Sequence, residues 1–222
     1  MNSSISERIV TIRSSLPTSV RLIAVSKQVS AQAIRSAYAA GIRDFGESRI
    51  QEAASKQDEL QDLPDIIWHF IGHLQSNKAK KAIEQFQWIH SVDNLKLVQR
   101  LDQLAQQLGV NPQVCLQVKI LPDPNKSGWS VPELLADLPA LNQYKNLQIQ
   151  GLMTIPPSGL NNSEILSVFN LNRELAKEIQ EQNWSHIKMQ DLSMGMSGDY
   201  ELAVQAGATM VRLGTILFGD RP

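Results

Sequence analysis

Residues 21–27 read RLIAVSK, an apolar run that stops on a serine and a lysine. A run this short, with Val and Ile in it, reads as a buried strand. A lysine at its end is either a place where the chain surfaces, the ammonium reaching water along its aliphatic stem, or an amine offered to a carbonyl. Two glycine-bearing stretches bear on that choice. SMGMSGD, residues 193–199, puts Gly195 and Gly198 in a turn that opens a helix, and MVRLGTILFG puts Gly214 and Thr215 at the end of a strand. Backbone N–H groups freed by such turns make anion sites, although glycines also serve simple turns. A lysine and a phosphate cradle at one mouth together describe a phosphorylated carbonyl compound held as a Schiff base.

Other reactive side chains read as structural. Cys115 sits in VCLQV and is expected to be a buried, inert thiol. His69 and His73 stand four apart in HFIGH, a spacing that binds metal on a helix, but this stretch reads as a strand running into a loop with no third ligand type nearby; no metal is expected. Trp68, Trp88 and the methionines of GLM and SMGM read as packing.

The elements that must position Lys27 and the glycine turns follow a regular beat. Eight strand candidates occur in order: RLIAVSK, IRDFGES, IIWHFIG, QWIHSVD, VCLQVKI, LQIQGLMTI, DLSM and MVRLGTILFG. Each but the last is followed by a helical pattern, and an amphipathic helix around residues 3–15 precedes the first. The clearest helix carries a stripe of Leu97, Val98, Leu101, Leu104, Ala105 and Leu108, with Asp93 or Asn94 to cap its start and Gly109 to end it. Near-continuous apolar strands alternating with helices call for a parallel sheet buried on both sides. Eight such units predict an α/β protein, a (β/α)8 TIM barrel with an extra N-terminal helix, forming one domain over residues 1–222. In that fold sites lie at the C-terminal strand ends, and phosphate often sits after strands seven and eight. Lys27 and both glycine turns belong to that rim.

The totals restrict the partners. Of 222 residues, 42% are hydrophobic and 19% charged, the balance of a globular chain with a full core, and the net charge of −1 offers no field to draw nucleic acid or an anionic membrane. A single cysteine allows no internal disulfide and fits a reducing compartment. MNSSISERIV lacks the apolar core of a signal peptide, and no segment is long enough to span a bilayer. A cytoplasmic location is expected.

Seven motifs in order extend the argument: AVSK at 24–27, FGES at 45–48, WHFIGHLQSNK at 68–78, HSVD at 90–93, GLMTI at 151–155, LSMGMSGD at 192–199 and VRLGTILFG at 211–219. On these the chain resembles the YggS/PROSC family of pyridoxal 5′-phosphate (PLP) binding proteins. The resemblance implies the barrel of the first domain of alanine racemase and a role in vitamin B6 homeostasis and amino-acid balance, without an established turnover. It implies that Lys27 forms a covalent PLP aldimine. Ser193 and Ser197 would bring hydroxyls near the phosphate, with donation from the backbone of Gly214 and Thr215. Arg212 would face the pyridine nitrogen. Asn77 and Lys78 would stand near the cofactor, and Met153, at its strand end, completes the expected set. Many relatives carry asparagine where this chain has Ser48.

An arginine can only donate, so Arg212 favours an unprotonated ring nitrogen and a weak electron sink; its structural alternative is a rim residue paired with an acid such as Glu47. Racemisation needs a proton donor on each face of the cofactor. Tyr38, Tyr144 and Tyr200 lie in or beside predicted helices, and the chain ends at Pro222, soon after the last strand motif. The expectation is a monomeric holder of PLP with little or no turnover, its partners being apo PLP enzymes or a regulatory protein. The alternatives are an amino-acid racemase and a class I aldolase that uses Lys27 without PLP.

Overall fold

The computed structural model describes residues 3–219; residues 1–2 and 220–222, the ends of the expected barrel, lie outside the described residues. In chain order the strands are β1 (Arg21–Val25), β2 (Asp44–Glu47), β3 (Ile67–Phe70), β4 (Trp88–Val92), β5 (Gln113–Lys119), β6 (Trp129–Ser130), β7 (Gln148–Met153), β8 (Ile187–Ser193) and β9 (Met210–Leu213). All but β6 form a closed ring: β1 pairs in parallel with β2 and β9, and β4 pairs with β5. This is the expected (β/α)8 barrel of the TIM type.

The helices are α1 (Ile5–Ser15), α2 (Ala31–Ala39), α3 (Ile50–Glu59), α4 (Ala79–Gln85), α5 (Leu95–Leu108), α6 (Val131–Leu141), α7 (Asn162–Glu181), α8 (Tyr200–Gln205) and α9 (Thr215–Phe218), with a 3-10 turn over Ser76–Lys78 before α4. Local chemistry sets their ends. Asn94 caps α5 by accepting from the Leu97 N–H at 2.9 Å, and Gly109 closes it at φ +65°, a backbone state in which a Cβ is costly. Capping boxes start α1, α6 and α7. The additional helix α1 buries Ile9 and Ile12, and its Arg8 Nε donates to the Leu217 carbonyl of α9 at 2.6 Å.

Three details differ from the sequence reading. The last strand is followed by a helix, the single turn α9, too short to carry an apolar stripe. A two-residue strand, β6, adds to β5 outside the ring through Val118 and Trp129. The seventh barrel strand begins at Ile187 rather than within DLSM, because Ile187 and Met189 are buried while Lys188 and Gln190 are exposed, a period-two pattern that extends it upstream.

The core has two parts. The larger fills the space between strands and helices, and a smaller group inside the barrel joins Ile23, Trp88, Cys115, Met153 and Met210. Cys115 is a free, buried thiol, and burial pushes its pKa up. The barrel interior also carries polar side chains that are almost wholly buried: His69, His90, Ser193 and Arg212.

Candidate functional site

A cavity of about 330 Å³ opens at the C-terminal ends of β1 and β9, within the roughly 300–1,000 Å³ of small-molecule sites. Lys27, Arg212, Ser197, Gly198, Gly214 and Thr215 supply its polar wall, and Val25, Ile71, Ile155 and Met196 its apolar one. A cavity of about 340 Å³ at the other end, beside Arg13, Arg21 and Asp44, is slightly larger but offers no amine nucleophile. The cavity beside Lys27 joins an amine to a guanidinium and two glycines.

Lys27 is half-buried, and among the described residues its ammonium has no hydrogen-bond or ion-pair partner. The backbone around it, in contrast, is gripped on both sides. The Ser26 carbonyl accepts from Lys56 Nζ at 2.7 Å, and the Gln28 N–H donates to Glu52. Lys56 Nζ also reaches Glu47 Oε1 at 2.8 Å and Glu52 Oε1 at 2.7 Å. The Ser26 hydroxyl donates to Glu47 Oε1 at 2.6 Å. Gln28 adopts φ +59°, a left-handed state unusual for a residue with a side chain. The two peptide groups flanking Lys27 are thus held by a buried ionic cluster, while its side chain stays available. Burial pushes Glu47 up, against the pull of Lys56 and Ser26. Its second oxygen has no partner among the described residues.

Arg212 enters from β9 and is 4% exposed. It donates to Ser193 Oγ at 2.7 Å and to the Thr154 carbonyl at 3.3 Å, and forms no ion pair among the described residues. Burial pulls its pKa down to about 10, so at neutral pH it is a charged donor without a carboxylate. The expected alternative pairing with Glu47 does not occur, because Glu47 belongs to Lys56.

The glycine turns bring open backbone to the rim. Gly195 has φ +94°, and a Cβ there would lie 2.6 Å from Ala203 Cβ. Around Gly198 a Cβ would meet nothing, which leaves the backbone open to a ligand. The Gly214 N–H donates to Ser197 Oγ at 3.3 Å, so that hydroxyl has a lone pair filled and its own hydrogen free to donate. The Gly214 N–H expected to face a phosphate thus stands beside the Ser197 hydroxyl at the same rim.

The structure separates the other expected contacts from this cavity. Ser193 is wholly buried, its hydroxyl taken by Arg212 and His90, so it sits beneath the arginine. Met153 packs inside the barrel against Ile23 and Trp88. Asn77 is exposed on the 3-10 turn, while Lys78 lines a neighbouring cavity with Ser48 and His73. His69 points into the barrel and His73 lies outside, 3.2 Å from Asp93. Asp93 accepts from the Asn94 amide, leaving Asn94 as the cap.

Sequence reading missed Lys56, Glu52, His69 and His90 as parts of the site. Glu52 and Lys56 carried one signal, the i,i+4 spacing of an ion pair on a helix. For His90, inside a wholly buried strand, the only signal was a polar residue where apolar ones are the rule.

The family model of the alanine racemase N-terminal domain matches residues 2–222. A pyridoxal phosphate homeostasis protein of Synechocystis sp. is 56% identical over 210 residues, covering 95% of each chain. The structure of PipY from Synechococcus elongatus without PLP has a TM-score of 0.95 at 56% identity, covering 97% of this chain and 100% of that one. Its PLP-bound form gives 0.93 at 55% identity. A Clostridium difficile alanine racemase, 14% identical, shares the fold alone, with a TM-score of 0.81 over 57% of its length. The chain belongs to the alanine racemase N-terminal domain family and, within it, to the pyridoxal phosphate homeostasis proteins that its seven motifs resemble.

Proposed function

We propose that this chain is a PLP-binding protein of vitamin B6 homeostasis, one barrel domain over residues 1–222, that holds the cofactor on Lys27 and releases it with little turnover of its own. The observation that carries the reading is the cavity wall: one amine, one buried guanidinium without a counter-ion, and a hydroxyl with two glycines, with no carboxylate among the described lining residues. That set suits a phosphorylated aldehyde with an aromatic nitrogen. PLP supplies an aldehyde that condenses with amines and a ring that withdraws electrons.

Lys27 attaches the aldehyde carbon, its flanking peptides held by Lys56 and Glu52. Ser197, with the backbone of Gly214, Thr215 and Gly198, receives the phosphate; charge-assisted bonds of this kind are the strong ones. Arg212 faces the pyridine nitrogen and, as a donor only, keeps it unprotonated. Among the described residues no tyrosine, histidine or carboxylate lines the cavity. Lys27 is then the sole proton carrier at the reacting face, whereas a racemase needs two. Loss of one positioned acid or base costs on the order of 10²–10⁴ in rate. We place the protein in the cytoplasm as a monomer that passes PLP to apo-enzymes; among the described residues no helix is long and apolar enough to cross a membrane.

The test is reduction with borohydride after loading with PLP, followed by peptide mapping. The adduct is expected on Lys27, and Lys27→Ala should lose the visible band while remaining folded by circular dichroism. An adduct on Lys78 or Lys119 would overturn the assignment. Rapid Cα deuterium exchange with amino acids would favour the racemase, and a colourless protein that takes sugar phosphates would favour the aldolase.

A further inference from the structure

Beneath Arg212 an unbroken line of hydrogen bonds crosses the barrel interior. Arg212 donates to Ser193 Oγ at 2.7 Å. Ser193 Oγ lies 2.7 Å from His90 Nδ1, His90 Nε2 lies 2.9 Å from His69 Nδ1, and His69 Nε2 lies 2.9 Å from Asp44 Oδ1. Five strands contribute one residue each, and His69, His90 and Ser193 have no exposed surface. The line runs from the cofactor cavity to the opposite end of the barrel, where the Asp44 side chain is 17% exposed and Arg21 stands 3.9 Å away.

The ends of the line determine every hydrogen in it. A carboxylate only accepts, so His69 carries its hydrogen on Nε2. A neutral imidazole has one N–H, so His69 Nδ1 is a lone pair and His90 must donate to it from Nε2. His90 Nδ1 is then also a lone pair, and the Ser193 hydroxyl donates to it. That leaves the Ser193 oxygen free to accept from Arg212, which only donates. All four hydrogen bonds point the same way, from Arg212 towards Asp44. Burial holds both imidazoles below their ordinary range, His90 well below, which keeps them neutral. A proton added to His90 Nδ1 would turn the Ser193 hydrogen bond around and place a further cation between Arg21 and Arg212.

We propose that Asp44, His69, His90 and Ser193 form a one-directional relay that positions Arg212 as a donor to the ring nitrogen, with no carboxylate among the described residues in contact with the guanidinium. The inference rests on the reading that this cavity takes PLP. Aligned hydrogen bonds polarise one another, so the Ser193 oxygen becomes a stronger acceptor than an isolated hydroxyl and anchors the guanidinium. A carboxylate in its place would neutralise Arg212. With the acid three groups away, the positive charge beside the ring remains and the ring stays a weak electron sink, as suits a holder.

Two measurements test the relay. Long-range ¹H–¹⁵N spectra of the cofactor-free protein, assigned with His→Gln variants, should show His69 and His90 as neutral Nε2–H tautomers at neutral pH. An Nδ1–H tautomer at His90, or an imidazolium at either, would overturn it without any variant having to fold. Second, Ser193→Ala should weaken PLP binding by roughly tenfold to a hundredfold, the loss of one hydrogen bond to a charged group, and shift the visible band of the loaded protein, while Ser193→Thr restores both. Wild-type affinity and spectrum in Ser193→Ala would sink the proposal. Failure of the PLP reading has a different signature: no adduct on Lys27 in wild type, whatever the tautomers.

Discussion

Lys27 and Arg212 line the same cavity, yet what stands behind them differs in kind. Behind Lys27 is an ionic cluster in which helix α3 meets the ends of β1 and β2, with Lys56 between Glu47 and Glu52. Behind Arg212 is a file of neutral groups inside the barrel. The first grips backbone and leaves its side chain free. The second grips the side chain itself. On the proposed reading, an amine that forms and breaks a bond with incoming cofactor needs a fixed root and a mobile tip, whereas a guanidinium facing a ring nitrogen needs a fixed tip. The two buried networks meet those opposite requirements.

The contrast makes quantitative predictions. Removing one member of a buried ion pair leaves an uncompensated charge, at a cost of about 3–5 kcal/mol. Lys56→Met is therefore expected to destabilise by that amount in urea unfolding, and adding Glu47→Gln should return part of it. A loss no larger than that of a surface substitution would remove the ionic cluster from the account.

Breaking the neutral file should cost a total of about 2–6 kcal/mol, a range that overlaps the first. His90→Phe leaves Ser193 and His69 each short of one partner, for which unsatisfied buried polar groups suggest about 1–3 kcal/mol apiece. The same variant combined with Lys56→Met should be additive to within roughly 0.5 kcal/mol if the two networks are independent. Strong coupling in that double-mutant cycle would show that they are one system.

Acid separates the regions by sign. The histidines titrate lower in the fold than when unfolded, so their contribution is complete above the unfolded value of 6.5 and is lost as pH falls below it. Glu47, pushed up by burial, has the opposite sign: its contribution is full below the unfolded value of 4.5 and is lost as pH rises through its folded value. Between about pH 6.5 and 5 stability should fall with a slope of up to about 1.4 kcal/mol per pH unit for each histidine. The double variant His69→Gln/His90→Gln should flatten that slope, while Glu47→Gln, which removes an opposing contribution, should steepen it. Urea melts across the range provide the check.

The smallest expected effect is a control outside both regions. Asn94→Ala removes the cap of α5 and should cost about 0.5–2 kcal/mol, with the PLP spectrum and affinity unchanged. A changed spectrum would mean that the barrel transmits general loosening to the cavity, which would blunt every site-directed comparison above.

Local order was enough to reveal the frame. Apolar runs of strand length alternating with amphipathic helices can bury both faces of a sheet in few ways, and caps such as Asn94 and Gly109 act on neighbours within a turn. The same locality placed Lys27 and the turns at 193–199 and 214–215 on the C-terminal rim, since a strand end is a position along the chain. What only the tertiary structure decided is which way a rim residue faces and whom it meets. Ser193 and Ser197 look alike in LSMGMSGD, yet one is the last residue of β8, turned into the barrel under Arg212, and the other stands in the turn beyond it. Met153 turned inward and Asn77 outward for the same reason: side-chain direction at a strand end depends on how neighbouring strands close the ring. The partnerships of Lys56 with the Ser26 carbonyl, and of His69 with His90, join residues on different elements. Period-two burial treats a buried histidine and a buried isoleucine alike; only the closed barrel brings Asp44, His69, His90, Ser193 and Arg212 into hydrogen-bonding reach, and only their donor and acceptor limits then give the line its direction.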